Sequence, residues 1–249
     1  MKPFVYTLFA VLAGVLSGCA HPANRDVSTA GGGLGAPAAL VIVNPIGDVR
    51  VLSSEKITET SVHARIDVRG FPSERRKAAE SVIIDSEVIE SPVGRVLRVE
   101  VPDQSAIVDL TIRVPAIRGG ANVRAAGGEV SITGVSGEID VVNGSDGSPA
   151  GRVVVRTSRP LEGNVSLVGH GKGVVLLVPA PLNADVAVYA PGQEAIAQDF
   201  AGSGVVRDVS YGGDWYRAKY NAARYGVTLR ALGGDARLLV LDDPESYWP

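Results

Sequence analysis

A single cysteine, Cys19, a single methionine and an aromatic share of only 5% set limits before any motif is sought. One cysteine leaves no disulfide within the chain and excludes a cysteine-based zinc cluster. The three histidines, His21, His63 and His170, lie far apart without partners at metal-ligand spacing. Lys and Arg number 24 against 27 Asp and Glu, with no basic block, so the electrostatic footprint of a nucleic-acid binder is missing. No serine has glycine both two places before and two places after it, which removes the hydrolase nucleophile elbow. The segment Gly169-His170-Gly171-Lys172-Gly173 holds a lysine among glycines but lacks the G-x-x-x-x-G-K-S/T spacing of a phosphate loop. Neither a catalytic residue nor a cofactor is expected from these patterns.

Long hydrophobic runs are equally scarce. The only one covers residues 4–16, behind Lys2, and it is too short for a comfortable span but suits the core of a signal peptide. It ends in Leu16-Ser17-Gly18-Cys19, which resembles the lipobox of bacterial lipoproteins. That resemblance implies diacylglycerol on the Cys19 sulfur, cleavage before it, and acylation, typically by palmitate, of the new amino terminus. Each buried methylene contributes about 0.8 kcal/mol, so two or three chains hold a protein on a bilayer where one does not. Residues 1–18 are thus expected to be a signal helix. Ala20, in place of Asp, resembles the signal for onward export to the outer membrane. The expected place is the bacterial cell envelope, on the outer membrane, with the lipid anchor holding the protein to the membrane.

Residues 19–37 then supply small, polar and glycine residues without apolar period, the composition of a flexible tether with a reach of about 25 Å. From residue 38 to 249 the pattern becomes that of one β domain. Val62-His63-Ala64-Arg65-Ile66-Asp67-Val68 and the run from Ile107 to Val114 alternate apolar and polar residues, the signature of half-buried strands. Only residues 72–80, with Ser73 as N-cap, argue for a short helix.

Twenty-four of the chain's thirty glycines punctuate this domain. Gly128-Glu129-Val130-Ser131-Ile132 is followed by Gly137-Glu138-Ile139-Asp140-Val141, and relatives of the phrase begin at Gly47, Gly120, Gly151, Gly163, Gly173, Gly226 and Gly234. Steps of 9, 14, 12 and 10 residues from Gly128 fit one strand and one turn each. The fold class expected is all-β: a β-solenoid-like stack of short strands with glycine turns, with Val130 and Ile132 lying over Ile139 and Val141 as neighbouring rungs. A β-sandwich with the same alternation is the alternative. Asp140, Asn143 and Asp146 are near enough in sequence to suggest calcium, but "NGSDG" is a turn sequence first, and no metal site is expected.

The strand from Val108 to Ala116, the glycine-led rungs after it and the run Val174-Val175-Leu176-Leu177-Val178-Pro179 together resemble the bacterial "putative adhesin" family, relatives of the toast-rack domains. The likeness covers more than half of the chain. It implies a solenoid-like envelope domain without catalytic or ligand residues to carry over.

Between residues 192 and 225 the repeat is interrupted. Tyr211, Trp215, Tyr216, Tyr220 and Tyr225 are five of the nine Tyr and Trp residues, and Arg217 and Arg224 are interleaved with them. The segment is expected to be a loop or short helix that caps the stack, or an interaction surface for sugar rings or a protein. A non-catalytic binding or structural lipoprotein, acting in adhesion or another contact with a protein or polysaccharide of the envelope, is the function expected. A β-helix carbohydrate-active enzyme and an envelope-stress sensing module are the alternatives.

Overall fold

The computed structural model describes residues 25–30, 36–68, 72–92, 94–102, 104–148 and 150–247. Cys19 and the expected signal helix lie outside these residues. No helix among the described residues is long and apolar enough to cross a membrane.

The alternating sequence produces nineteen strands and one helix among the described residues. In chain order they are β1 (Arg25–Ala30), β2 (Ala39–Asn44), β3 (Val49–Ser53), β4 (Ser61–Asp67), α1 (Pro72–Ser81), β5 (Asp85–Ser91), β6 (Gly94–Glu100) and β7 (Ile107–Val114). They continue as β8 (Gly120–Ala125), β9 (Val130–Thr133), β10 (Glu138–Asn143), β11 (Val153–Arg156), β12 (Val165–Gly169) and β13 (Val174–Pro179). The last are β14 (Ala184–Tyr189), β15 (Ala195–Asp199), β16 (Val206–Tyr211), β17 (Trp215–Tyr220), β18 (Tyr225–Ala231) and β19 (Ala236–Leu241). One sheet has the order β1-β4-β7-β3-β9-β11-β13-β19-β15, and the other β16-β17-β14-β18-β12-β10-β8-β2-β6-β5. The fold is all-β.

From β8 to β13 consecutive strands alternate between the two sheets, and each pairs in parallel with the strand two positions further on. One turn of the coil therefore consumes two strands, one on each sheet, with the apolar residues of both turned inward. Val130, Ile132, Ile139 and Val141 are all buried. Val130 and Ile132 do not lie over Ile139 and Val141 as neighbouring rungs. Val130 lies beside Val49 and Val153 in one sheet, whereas Ile139 lies beside Ala121 and Val165 in the other. The two halves of the phrase form opposite walls of one turn, because a core needs cover from both sides and one five-residue strand supplies one side only.

The order of the turns in space is not their order in sequence. The first turn, β2 and β3, sits between β6/β7 and β8/β9, and the last, β18 and β19, sits between β12/β13 and β14/β15. Both terminal turns of the coil are thus held between neighbours on two sides. Glycine is required where strand starts lie side by side: Gly120 has φ +117°, and a Cβ there would stand 2.0 Å from the carbonyl oxygen of Glu138.

The two ends of the stack are built differently. At the amino-terminal end β4 and β5 add antiparallel strands, and α1 inserts Ala79 into the core. Strand β1, paired in register with β4 from Arg25 to Ala30, falls inside the stretch expected to be a tether. At the carboxy-terminal end β17 and β16 extend one sheet by an antiparallel hairpin, while the other sheet stops at β15.

Candidate interaction surface

The segment from Tyr211 to Tyr225 is neither a long loop nor a helix. It holds the end of β16, all of β17 and the start of β18. A period of two therefore decides which of its residues share a face, and the expected site is divided between the two sides of the sheet. Trp215, Arg217 and Lys219 point outward and are exposed; Ala218 and Tyr220 are buried, and Tyr216 is half-buried. Tyr216 and Tyr220, four residues apart, would share a face in a helix and also share one in this strand. Their hydroxyls lie 3.0 Å apart. Burial first, and the hydrogen bond with Tyr216 second, push the Tyr220 phenol well above the ordinary tyrosine range.

Pairing of β17 with β14, and of β14 with β18, builds an outward pad. Trp215 lies opposite Tyr189, and Tyr189 is beside Arg230, whose guanidinium stands 6.0 Å from the centre of the Tyr189 ring. The next row holds Arg217, Ala187 and Thr228, and the row beyond it Lys219 and Asp185. Trp215 is 38% and Tyr189 40% exposed, so both rings are open to a ligand. Neither Arg217 nor Arg230 is bonded to a carboxylate among the described residues. Lys219 is ion-paired with Asp208 at 2.8 Å, which raises the Lys219 pKa and lowers that of Asp208; both side chains are exposed.

The remaining expected residues lie at the margins. Arg224 is exposed in the β17–β18 turn, 5.3 Å from the centre of the half-buried Tyr225 ring. Tyr211 sits on the edge strand, opposite Tyr216 and 75% exposed. Tyr189 and Arg230 were absent from the expected site. Their alternation marks them as outward residues, but their place beside Trp215 depends on β18 entering next to β14, which no local pattern reveals.

A trough of about 740 Å³ opens on the turns of the coil, lined by Gly127, Gly128, Gly151 and Gly171 with Arg152 and Lys172. Asp48 and Glu129 also line it, and the Asp48 carboxylate is tied to the backbone, accepting the Glu129 N–H at 2.7 Å. Asp140, Asn143 and Asp146 are drawn apart into three roles. Asp140 pairs with Arg124, Asn143 is buried and bonds the backbone, and exposed Asp146 lies 3.3 Å from His170.

No family model and no curated relative matches this chain. Solved structures do resemble it. A "putative cell adhesion protein" from Clostridium sporogenes, 11% identical, is similar over 88% of this chain and 100% of its own, with a TM-score of 0.55. A "putative adhesin" from Bacteroides fragilis, 9% identical, is aligned over 87% of this chain and 97% of its own, with a TM-score of 0.32. The first likeness extends to the fold of nearly the whole chain, so the two-sheet all-β architecture exists in a solved protein.

Proposed function

We propose that this chain is a non-catalytic binding module of the bacterial cell envelope, held by lipid at Cys19, and that its Trp215–Tyr189 pad takes a polysaccharide of the cell surface. The observation that carries the reading is the pad itself. Two exposed rings lie side by side on the sheet, flanked by two arginines that form no ion pair with a carboxylate among the described residues. Sugar rings offer apolar faces for the aromatic rings and hydroxyl or acidic groups for the guanidinium forks. The solved structure of shared fold bears an adhesion name, which agrees with a binding role.

The position of the pad supports the same reading. Only five residues separate Cys19 from β1, a reach of at most about 20 Å, which keeps the β1 end near the bilayer. The ten-stranded sheet spans about 40–45 Å at the usual strand spacing, so its β16–β17 end is presented away from the lipid.

Titration of the purified full-length protein with isolated envelope polysaccharide tests the pad. Replacement of Trp215 by Ala, or of Arg217 and Arg230 together by Gln, is expected to weaken binding at least about tenfold, the effect of losing one stacking contact. Binding that survives all three substitutions refutes the assignment. Cys19→Ala is expected to release the protein from the membrane fraction, and unchanged membrane association refutes the anchor.

A further inference from the structure

The two sheets end at different heights at the end of the stack remote from β1. One stops at β15, in the layer of β14, while the other continues for two more strands, β17 and β16. Both terminal strands, β15 and β16, have an edge with no paired strand among the described residues. The step also exposes apolar groups: Phe200 at 65%, Val205 at 59%, Val209 at 49% and Tyr211 at 75%. A whole aromatic side chain has about 150–250 Å² to bury, so the exposed parts of Phe200 and Tyr211 alone amount to roughly 200–350 Å². Together with the valines this reaches the size at which a surface patch marks an interface.

We propose that this end is closed by a second copy of the chain, through a two-fold axis parallel to the strands. A two-strand step in one sheet is self-complementary under that operation. The axis exchanges the two sheets, so the partner's β16 falls beside β15, and the partner's β15 beside β16. Both ragged edges are filled at once, and Val206 and Tyr211, which share the inner face with their register partners Tyr220 and Tyr216, are covered by the facing overhang.

Strand direction is compatible with this seam. Strand β16 runs with β18, through two antiparallel steps by way of β17 and β14. Strand β15 runs with β19, and β18 and β19 are successive arms of one turn on opposing sheets. The rotation preserves strand direction, so β15 meets the partner's β16 antiparallel. Five or six residues per seam give about 17–20 Å of ladder, twice over. The bulge between Arg207 and Ser210, with Asp208 at φ 54°, blocks a long flat strand from adding to β16, which leaves the contact to a partner of matching shape.

Sedimentation velocity of the full-length protein in non-ionic detergent, at up to roughly 100 µM, tests the assignment. A dimer is expected, and Tyr211→Glu is expected to raise its dissociation constant at least tenfold while the far-ultraviolet spectrum stays that of a folded β protein. A second measurement fixes the geometry. Gln198→Cys and Ser210→Cys variants, oxidised separately, are expected to give no disulfide dimer across β15 and β16, whereas their mixture gives a heterodimer. A monomer at every concentration, a dimer indifferent to Tyr211→Glu, no heterodimer in the mixture, or a disulfide dimer of the Ser210→Cys chain alone would each overturn the exchanged seam. The pad substitutions leave this contact intact, so failure of polysaccharide binding is distinguishable from failure of dimerisation.

Discussion

Asn143, fully buried at the end of β10, donates its side-chain amide to the carbonyl oxygen of Gly128 at 2.8 Å and to that of Gly151 at 3.3 Å. It thereby links the turns that enter β9 and β11, on either side of its own strand. Replacing Asn143 by Ala removes this donor from two half-buried carbonyls, of which that of Gly128 keeps the Gly151 N–H at 3.1 Å, and each such loss costs up to about 1–3 kcal/mol. Urea denaturation of the Asn143→Ala protein is expected to show a loss of at least about 2 kcal/mol without change of fold. An unchanged midpoint would mean that water or a backbone shift replaces the amide.

The glycine turns differ in what they demand, and two substitutions separate the demands. Gly120→Ala meets both an unfavourable φ of +117° and a neighbouring carbonyl at 2.0 Å, whereas Gly147, at φ +78°, has no atom within 4 Å of an added Cβ. Strain alone costs about 1–2 kcal/mol. Gly147→Ala is therefore expected to lower stability by about 1 kcal/mol, and Gly120→Ala by at least twice that, through displacement of β10 from β8. Equal losses in thermal melts would show that the close approach of the two strands relaxes freely.

Much of this arrangement is legible in the residues. Val62 to Val68 and Ile107 to Val114 read as strands and are most of β4 and all of β7, and the helix formers after Ser73 give α1, which begins at Pro72 and so includes Ser73 rather than starting behind it as a cap. Glycine-led phrases mark nearly every turn of the coil. What the phrases do not contain is which turn lies beside which. A strand's alternation fixes the face it buries but not its neighbours, so Val130 over Ile139 and Val130 opposite Ile139 have the same pattern. The same limit hides the pad, because Tyr189, Trp215 and Arg230 come from three strands brought together by the late insertion of β18. The aromatic segment misled for a related reason: residues at i and i+4 share a face in a helix and in a strand alike.

Alkaline pH gives a test of the inner face. Tyr220 is neutral in the folded protein well past the pH at which an unfolded chain ionises its tyrosines, about 10. Its folded pKa is raised, so its contribution to stability is complete below that value. Above it the unfolded state loses the proton first, and stability falls as pH rises, by up to about 1.4 kcal/mol per unit. Tyr220→Phe is expected to have a flatter stability profile above pH 10 than the parent chain, because the phenol that resists ionisation is gone. Identical slopes would place the alkaline sensitivity elsewhere.

The outer face of the β11–β13–β19 sheet carries a second apolar cluster of Val154, Val175, Leu177 and Leu239, buried although it points away from the main core. Residues 242–247 run across it. Glu245 accepts the Ser158 N–H at 2.9 Å, Arg156 donates to the Tyr247 carbonyl at 3.4 Å, and Tyr247 flanks Val175 and Leu239. Burial is also the main cause that lowers the Arg156 pKa. Ending the chain after Leu241 uncovers four aliphatic side chains, each worth roughly 1.5–3 kcal/mol when fully buried, and the exposure is partial because the sheet still covers one side. A loss on the order of 3–6 kcal/mol is expected in urea denaturation, with increased binding of a hydrophobic dye to the folded protein. The pH dependence of stability should change little, since Arg156 stays charged in both states. A truncated chain as stable as the parent would mean that the cluster closes on itself, and residues 242–247 would then be a passenger on a finished sheet.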